Sequence, residues 1–319
     1  MKEIVFFSKN EKKWGEINEL LSSKGSVSAD KLSELYIELT DDLAYASTNY
    51  KSSNTEAYLN LLARKVHERI YKNKKVSRAR IVRFFTNEFP LLIYKHRKAL
   101  LVSAVIFTIS SLIGAFSTSV DDSFPRLILG DHYVDMTIEN IENGNPLGVY
   151  ESMDPITMFF QITFNNIRVS FLVFAAGIFL SVLTGFLLFR NGIMLGTFQY
   201  FFYTKKLLYI SALTIWVHGT IEIASIVIAG GAGIALGNSI MFPGTYSRLH
   251  SFQTTAKESV KIIAGLIPLF IVAGFLESFV TRYSHISVIP AIIIITISVV
   301  FLFLYFIYYP YKLHKNGSD

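Results

Sequence analysis

Beyond residue 98 the chain is a succession of long apolar blocks, and no other feature restricts its folding as much. The first, ALLVSAVIFTISSLIGAFSTSV at 99–120, has no charged residue, and about 20 such residues suffice for a helix to cross the hydrocarbon of a bilayer. Further blocks occupy 166–189, 191–203, 207–231, 262–280 and 288–309. Inside lipid the backbone must satisfy its own hydrogen bonds, which a helix does within one segment. The expected fold is therefore all-α, a polytopic membrane helical bundle of about six spans over 99–311, with one span short. Charged residues make up 17% of the chain, below the roughly 25% of soluble domains.

Charge sets the orientation. From Arg64 to Lys98 there are twelve Lys or Arg against two acids. The loop 121–155 inverts this balance, with Asp121, Asp122, Asp131, Asp135, Glu139, Glu142, Glu151 and Asp154 against Arg126 alone. The positive-inside rule places residues 1–98 in the cytoplasm and the acidic loop outside. The block 191–203 decides the rest. If it crosses, the loop with Arg248, Lys257 and Lys261 and the basic tail 312–319 both fall inside; if it is re-entrant, both fall outside. Six crossings with both termini inside satisfy the rule, with Lys205 and Lys206 as exceptions. An apolar run of four residues at Ile4–Phe7 is too short for a cleavable signal.

Residues 1–75 read as a cytosolic helical segment. Helical spacing links Trp14, Ile17, Leu20 and Leu21, with a stop at Gly25. It also links Leu32, Leu35, Tyr36, Leu39 and Leu43, and then Leu59, Leu62, Val66 and Ile70. Ser53 and Glu56 have capping-box spacing. Residues 76–98 mix Arg78, Arg80, Arg83, Lys95, Arg97 and Lys98 with Phe84, Phe85, Phe89 and Ile93. This pattern suits an interfacial amphipathic helix, bent at Pro90, with its cations at anionic lipid headgroups on the cytoplasmic side. Because the basic run abuts a span, a nucleic-acid partner is not expected. In the outer loop, DMTIENIENGNPLG reads as a short helix ending in a Gly/Pro turn at Pro146.

Small residues recur every fourth position: Gly177, Ser181 and Gly185; Gly192 and Gly196; Ser225, Ala229, Gly233 and Gly237. Such stripes let helix backbones approach where lipid supplies no hydrophobic drive, in a tight bundle or a homo-oligomer. One helical turn separates His218 from Glu222 in the middle of a span. A carboxylate there costs several kcal/mol unless it meets a partner or a water-filled cavity. The expectation is a polar clasp sealed in protein, and the alternative is a proton or ion relay in a transporter or channel. Arg168, near Asn165 and Asn166, and Glu277 are expected to approach one another, and Asn191 completes the intramembrane polar set.

No catalytic residue, metal or cofactor is expected. A zinc protease helix needs a second His, H-E-x-x-H, which is missing around His218. Cysteine is absent, and there is neither a G-x-S-x-G elbow nor a phosphate loop with Lys-Ser/Thr.

Three blocks resemble the stage II sporulation protein M family: NNIRVSFLVFAAGIFLSVLTG running into RNGIMLGTF, HGTIEIASIVIAGGAGIALG, and AGLIPLFIVAGFLESFVTRY, together about 155–285. The resemblance implies a non-enzymatic multi-pass protein of the bacterial cytoplasmic membrane, acting as a scaffold in cell-envelope or peptidoglycan remodelling. The family's non-sporulation branch is often encoded beside MoxR-type ATPases and RDD membrane proteins, which implies partners of those kinds. The extra N-terminal segment departs from the sporulation protein. It argues against a role in engulfment and adds a surface for a cytosolic partner.

Overall fold

The computed structural model describes residues 1–22, 29–72, 78–145, 154–281 and 288–317, and every regular element among them is helical. Gly25, the Ile70 side chain, Pro146 and Glu151 lie outside the described residues. The chain divides into two compact units, Met1–Val82 and Arg83–Asp319.

The first unit comprises α1 (Glu3–Ser22), α2 (Ala29–Asn49) and α3 (Asn54–Lys72). Its core joins Phe6, Trp14 and Ile17 to Leu32, Leu35 and Leu39 and to Leu59, Leu62 and Val66. These are the faces that helical spacing marks out, extended at the start by Phe6. Trp14 is fully buried, and its indole N–H donates to Asp42 Oδ2 at 2.8 Å, so the ring's one polar atom is satisfied. At the start of α3, Ser53 Oγ accepts from the Glu56 N–H at 3.2 Å, while the Glu56 carboxylate accepts from the Ser52 N–H at 2.7 Å. The expected cap forms, with its return bond one residue earlier than the standard box.

A short helix α4 (Arg78–Arg83) leads through a π-turn, Phe84–Glu88, into α5 (Phe89–Lys95). Phe89 and Ile93 do not face lipid as an interfacial helix would place them. Both are buried in the main core of the second unit, with the Phe89 ring over Gly265 and near Tyr305 and Phe306. Tyr305 and Tyr309 donate to the Phe85 and Thr86 carbonyls at 2.7 and 2.8 Å, serving backbone acceptors that the π-turn leaves available. Pro90 lies in the first turn of α5, where its missing N–H breaks no bond.

The membrane unit continues with α6 (Arg97–Val120), α7 (Phe124–Leu129), α8 (Asp131–Glu142), α9 (Pro155–Ala175), α10 (Val182–Thr204), α11 (Leu208–Met241), α12 (Arg248–Phe275), α13 (Val288–Phe303) and α14 (Tyr309–Asn316). Five helices are long and apolar enough to cross a membrane: 97–120, 155–178, 208–241, 248–281 and 288–316. The sixth long helix, α10, runs parallel to α6, because Gly192 meets Phe107 and Ser110 while Gly196 meets Ser111 and Ala115. In the opposite sense α11 passes α6, with Ser103 bonded to Val227 and Leu100 against Gly231. Past α11, α12 runs antiparallel, with Ser259 bonded to Ala232 and Thr281 to Thr214. The directions of α6, α10, α11 and α12 fit six crossings, around a central α11 that touches α6, α9, α10, α12 and α13.

The second and third spans are not bounded as the apolar blocks suggest. Asp154 caps α9, its carboxylate accepting from Ile156 and Thr157 N–H at 3.3 and 2.9 Å, with Pro155 following. That span therefore starts at 155, not 166. It ends in a 3₁₀ turn, Ala176–Ile178, and a reversal through Leu180 and Ser181, both left-handed at φ 55° and 66°. Ser181 Oγ donates to the Ile234 carbonyl at 2.9 Å, which pins this strained reversal to α11. The supposed 13-residue block is thus part of a 23-residue helix. Arg190 and Asn191 read as a boundary, but they lie inside α10, with Arg190 exposed.

The reversal also splits one expected stripe. A Cβ on Gly177 would lie 2.1 Å from the Gly233 carbonyl oxygen, and one on Gly237 2.2 Å from Ser181 N, so backbones touch here. Gly185 lies beyond the turn and faces open space. Ser225 and Ala229 are buried along α11, as expected.

Where α5 meets α12, His96 Nε2 lies 2.9 Å from Glu258 Oε2, and Lys95 pairs with the same carboxylate. At the other end, Arg126 bridges Asp131 and Asp135 at 3.2 and 2.7 Å, tying α7 to α8. Val134 then packs on Phe201 and Phe202.

Two outcomes follow. Gly177→Ala must force helices apart at a cost of about 1–3 kcal/mol, read as a lower thermal midpoint in detergent. Gly185→Ala leaves that midpoint unchanged or higher, because it meets nothing and favours the helix by up to about 1 kcal/mol. Burial holds the His96 pKa below its ordinary value, outweighing the opposite pull of Glu258. The unfolded chain therefore takes up this proton first, and the associated stability is complete above about pH 6.5 and lost as pH falls below it. His96→Gln flattens that part of the stability profile.

Candidate functional site

One helical turn brings His218 and Glu222 to the same side of α11. The third member comes from a π-turn, Leu276–Thr281, that continues α12 and carries Glu277, Ser278 and Thr281. π-turns of this kind recur at functional sites. His218 Nε2 lies 3.9 Å from Glu277 Oε1, and its Nδ1 is 3.0 Å from Thr281 Oγ1. Thr281 in turn donates to the Thr214 carbonyl at 3.4 Å. With its hydrogen on the Thr214 carbonyl, the Thr281 hydroxyl can accept from His218 Nδ1–H, the tautomer that turns the Nε2 lone pair towards the carboxylates. One donor atom from each of His218, Glu222 and Glu277 lies within 4.8 Å of the others.

These groups line a cavity of about 740 Å³ together with Asn165, Asn166, Asn191, Gln161 and Gly219. Six of the seven polar residues singled out in the sequence therefore converge on one space. Arg168 is the exception. It is exposed beside Thr157, Phe160 and Phe164 on α9 and makes no ion pair with Glu277, whose neighbour is His218 instead. The helical phase explains this: Asn166 and Ser170 face inward from α9, and Arg168, between them, faces out.

Among the described residues the His218–Glu222 pair is not sealed in protein. Exposed Gln161 and Asn165 on α9 and Met194 on α10 border the cavity, so it opens between these helices away from their shared turn. Ile128, Leu129 and Tyr133 of α7 and α8 complete its outer wall. At the other end the cavity stops near Ile226. There Gly230 packs on Leu188 and Ser103, Gly233 on Thr184 and Val173, and Gly237 on Ser181. The space is blind.

Of the basic residues assigned to headgroups, Arg78, Arg80, Arg83, Lys95, Arg97 and Lys98 are all exposed. Lys95 is engaged by Glu258, and the Arg97 guanidinium sits 4.1 Å from the Tyr94 ring centre. Sequence reading missed Thr281 and Thr214, single hydroxyls among many in apolar blocks. Only the fold reveals them as the groups that orient His218.

The stage II sporulation protein M family matches residues 103–282, more than half of the chain. The chain belongs to that family. Within this member of the stage II sporulation protein M family, the matched region runs from α6 to the π-turn and contains the whole polar cluster. Residues 4–72 match a separate domain family of unknown function, DUF8413, which corresponds to α1–α3. No match was found among curated proteins or among solved structures.

The hydroxyl of Thr281 is the testable support of this arrangement. Thr281→Val leaves the buried His218 Nδ1–H without its acceptor, a cost of about 1–3 kcal/mol. A lower thermal midpoint in detergent is expected, whereas Thr281→Ser retains the wild-type value.

Proposed function

We propose that this stage II sporulation protein M family member is a non-enzymatic assembly protein of the bacterial cytoplasmic membrane, with both termini in the cytoplasm. In this reading the glycine-locked bundle is a rigid platform, and α1–α3 recruit a cytosolic partner. The acidic pair α7–α8 meets components of cell-envelope or peptidoglycan remodelling. A MoxR-type ATPase suits the cytosolic side and an RDD membrane protein the bilayer, and the chain can associate with copies of itself. The exposed cations of 78–98 rest on anionic headgroups, where each contributes about 1 kcal/mol. The observation that carries the reading is that Met1–Val82 has a hydrophobic core of its own, separate from that of the membrane unit. A second folded body with its own family match is more than an anchor needs. Close glycine packing beyond Ile226 supports this reading over the transporter alternative.

Affinity purification of the full chain in mild detergent is expected to recover a MoxR-type ATPase in stable ratio. A chain lacking residues 1–82 is expected to lose the ATPase while keeping its thermal midpoint. Recovery of the full chain alone, or of the same ATPase by the shortened chain, would remove the basis for the proposal.

A further inference from the structure

We propose that His218 Nε2, Glu222 and Glu277 bind a divalent first-row transition-metal ion of the zinc class, with a remaining coordination position facing the cavity. This inference stands apart from the assembly role, since it uses none of the surfaces on which that role depends.

The first argument is charge. Two carboxyl groups share a space with no Lys or Arg among the described residues that line it, and Arg168 of α9 faces outward. Unpaired carboxylates in a membrane span are strongly disfavoured. A divalent cation between them brings the sum to zero, and a neutral imidazole adds no charge to that balance.

The second argument is the lone pair. The Thr214–Thr281–His218 chain favours the imidazole hydrogen on Nδ1. Nε2 then presents a lone pair to the Glu277 carboxylate 3.9 Å away. The same chain is the outer support that metal-bound His residues characteristically have, the second ring nitrogen donating to an oxygen.

Geometry and an orphaned amide complete the case. The three donor atoms lie within 4.8 Å of one another. Ligand distances of about 2.0–2.2 Å around a tetrahedral ion need donors roughly 3.3 Å apart, a separation that small rotations of the two Glu side chains supply. Asn166 is 6% exposed, lines the same cavity, and turns its buried Nδ2, which has no other hydrogen-bond partner, towards the Glu222 carboxylate. It is placed to bond a carboxylate or a metal-bound ligand. One imidazole with two carboxylates suits zinc-class ions, whereas calcium takes six to eight oxygens and magnesium keeps most of its water.

The full chain, purified in mild detergent and stripped with a chelator, is titrated with zinc chloride. Bound zinc is measured by elemental analysis after desalting, and the thermal midpoint is followed. About one zinc per chain and a raised midpoint are expected, with no rise from magnesium or calcium chloride. Glu222→Gln and Glu277→Gln are expected to weaken zinc binding about 100-fold or more, and Thr281→Val about 10–100-fold. Stripping and re-adding zinc to the wild-type chain decides the matter even if a variant does not fold. No retained zinc and no thermal shift in the wild type would overturn the proposal. So would equal retention by the two Gln variants, or a calcium or magnesium shift matching that of zinc.

Discussion

Contact between helix backbones is the constraint on which the membrane unit rests. Apolar side chains gain little by leaving lipid for protein, so the bundle depends on dispersion and close fit. Gly177, Gly233 and Gly237 bring the end of α9 and the reversal after it against α11, and Gly192 and Gly196 bring α10 against α6. At each point a methyl group would overlap backbone or side-chain atoms. The fourfold spacing of these residues therefore reads as a map of the interfaces, and for α10 and α11 it reads correctly.

The map fails where the chain turns. Nothing in FAAGIFLSVLTGFLLF announces a reversal, for it contains no Pro, Asn or Asp, and its glycines are not the residues with positive φ. Leu180 and Ser181 take the left-handed conformation instead, held by the bond from Ser181 to α11. A tertiary contact thus overrides local preference, and no local signal could have shown it. The polar pair Arg190–Asn191, conversely, looks like a boundary, but α10 accommodates it by exposing Arg190 and turning Asn191 to the cavity. The first unit was easier to read because its amphipathic faces meet only each other.

The candidate site divides in the same way. His218 and Glu222 were legible because they sit four apart on one helix in an apolar block. Glu277 was legible as an intramembrane charge but not as their neighbour, since 55 residues separate it from Glu222. Pairing it with Arg168 followed from charge alone and ignored helical phase, which turns Arg168 outward and Asn166 inward. Burial of two carboxyl groups together, away from Arg168, is the feature that sequence reasoning would least anticipate. It is also the feature that most calls for a ligand.

The reversal and the site belong to one mechanical arrangement. Because α9 and α10 are joined tightly at Leu180–Ser181 and pinned there to α11, any separation between them must open at the far ends. The cavity lies at that open side, and Ile128, Leu129 and Tyr133 from α7 and α8 help to close it. The same α8 is fastened to α10 through Val134 on Phe201 and Phe202, and to α7 through Arg126. The acidic pair α7–α8 is thus coupled by packing to α10 and to the wall of the cavity, while the glycine contacts lie at the other end.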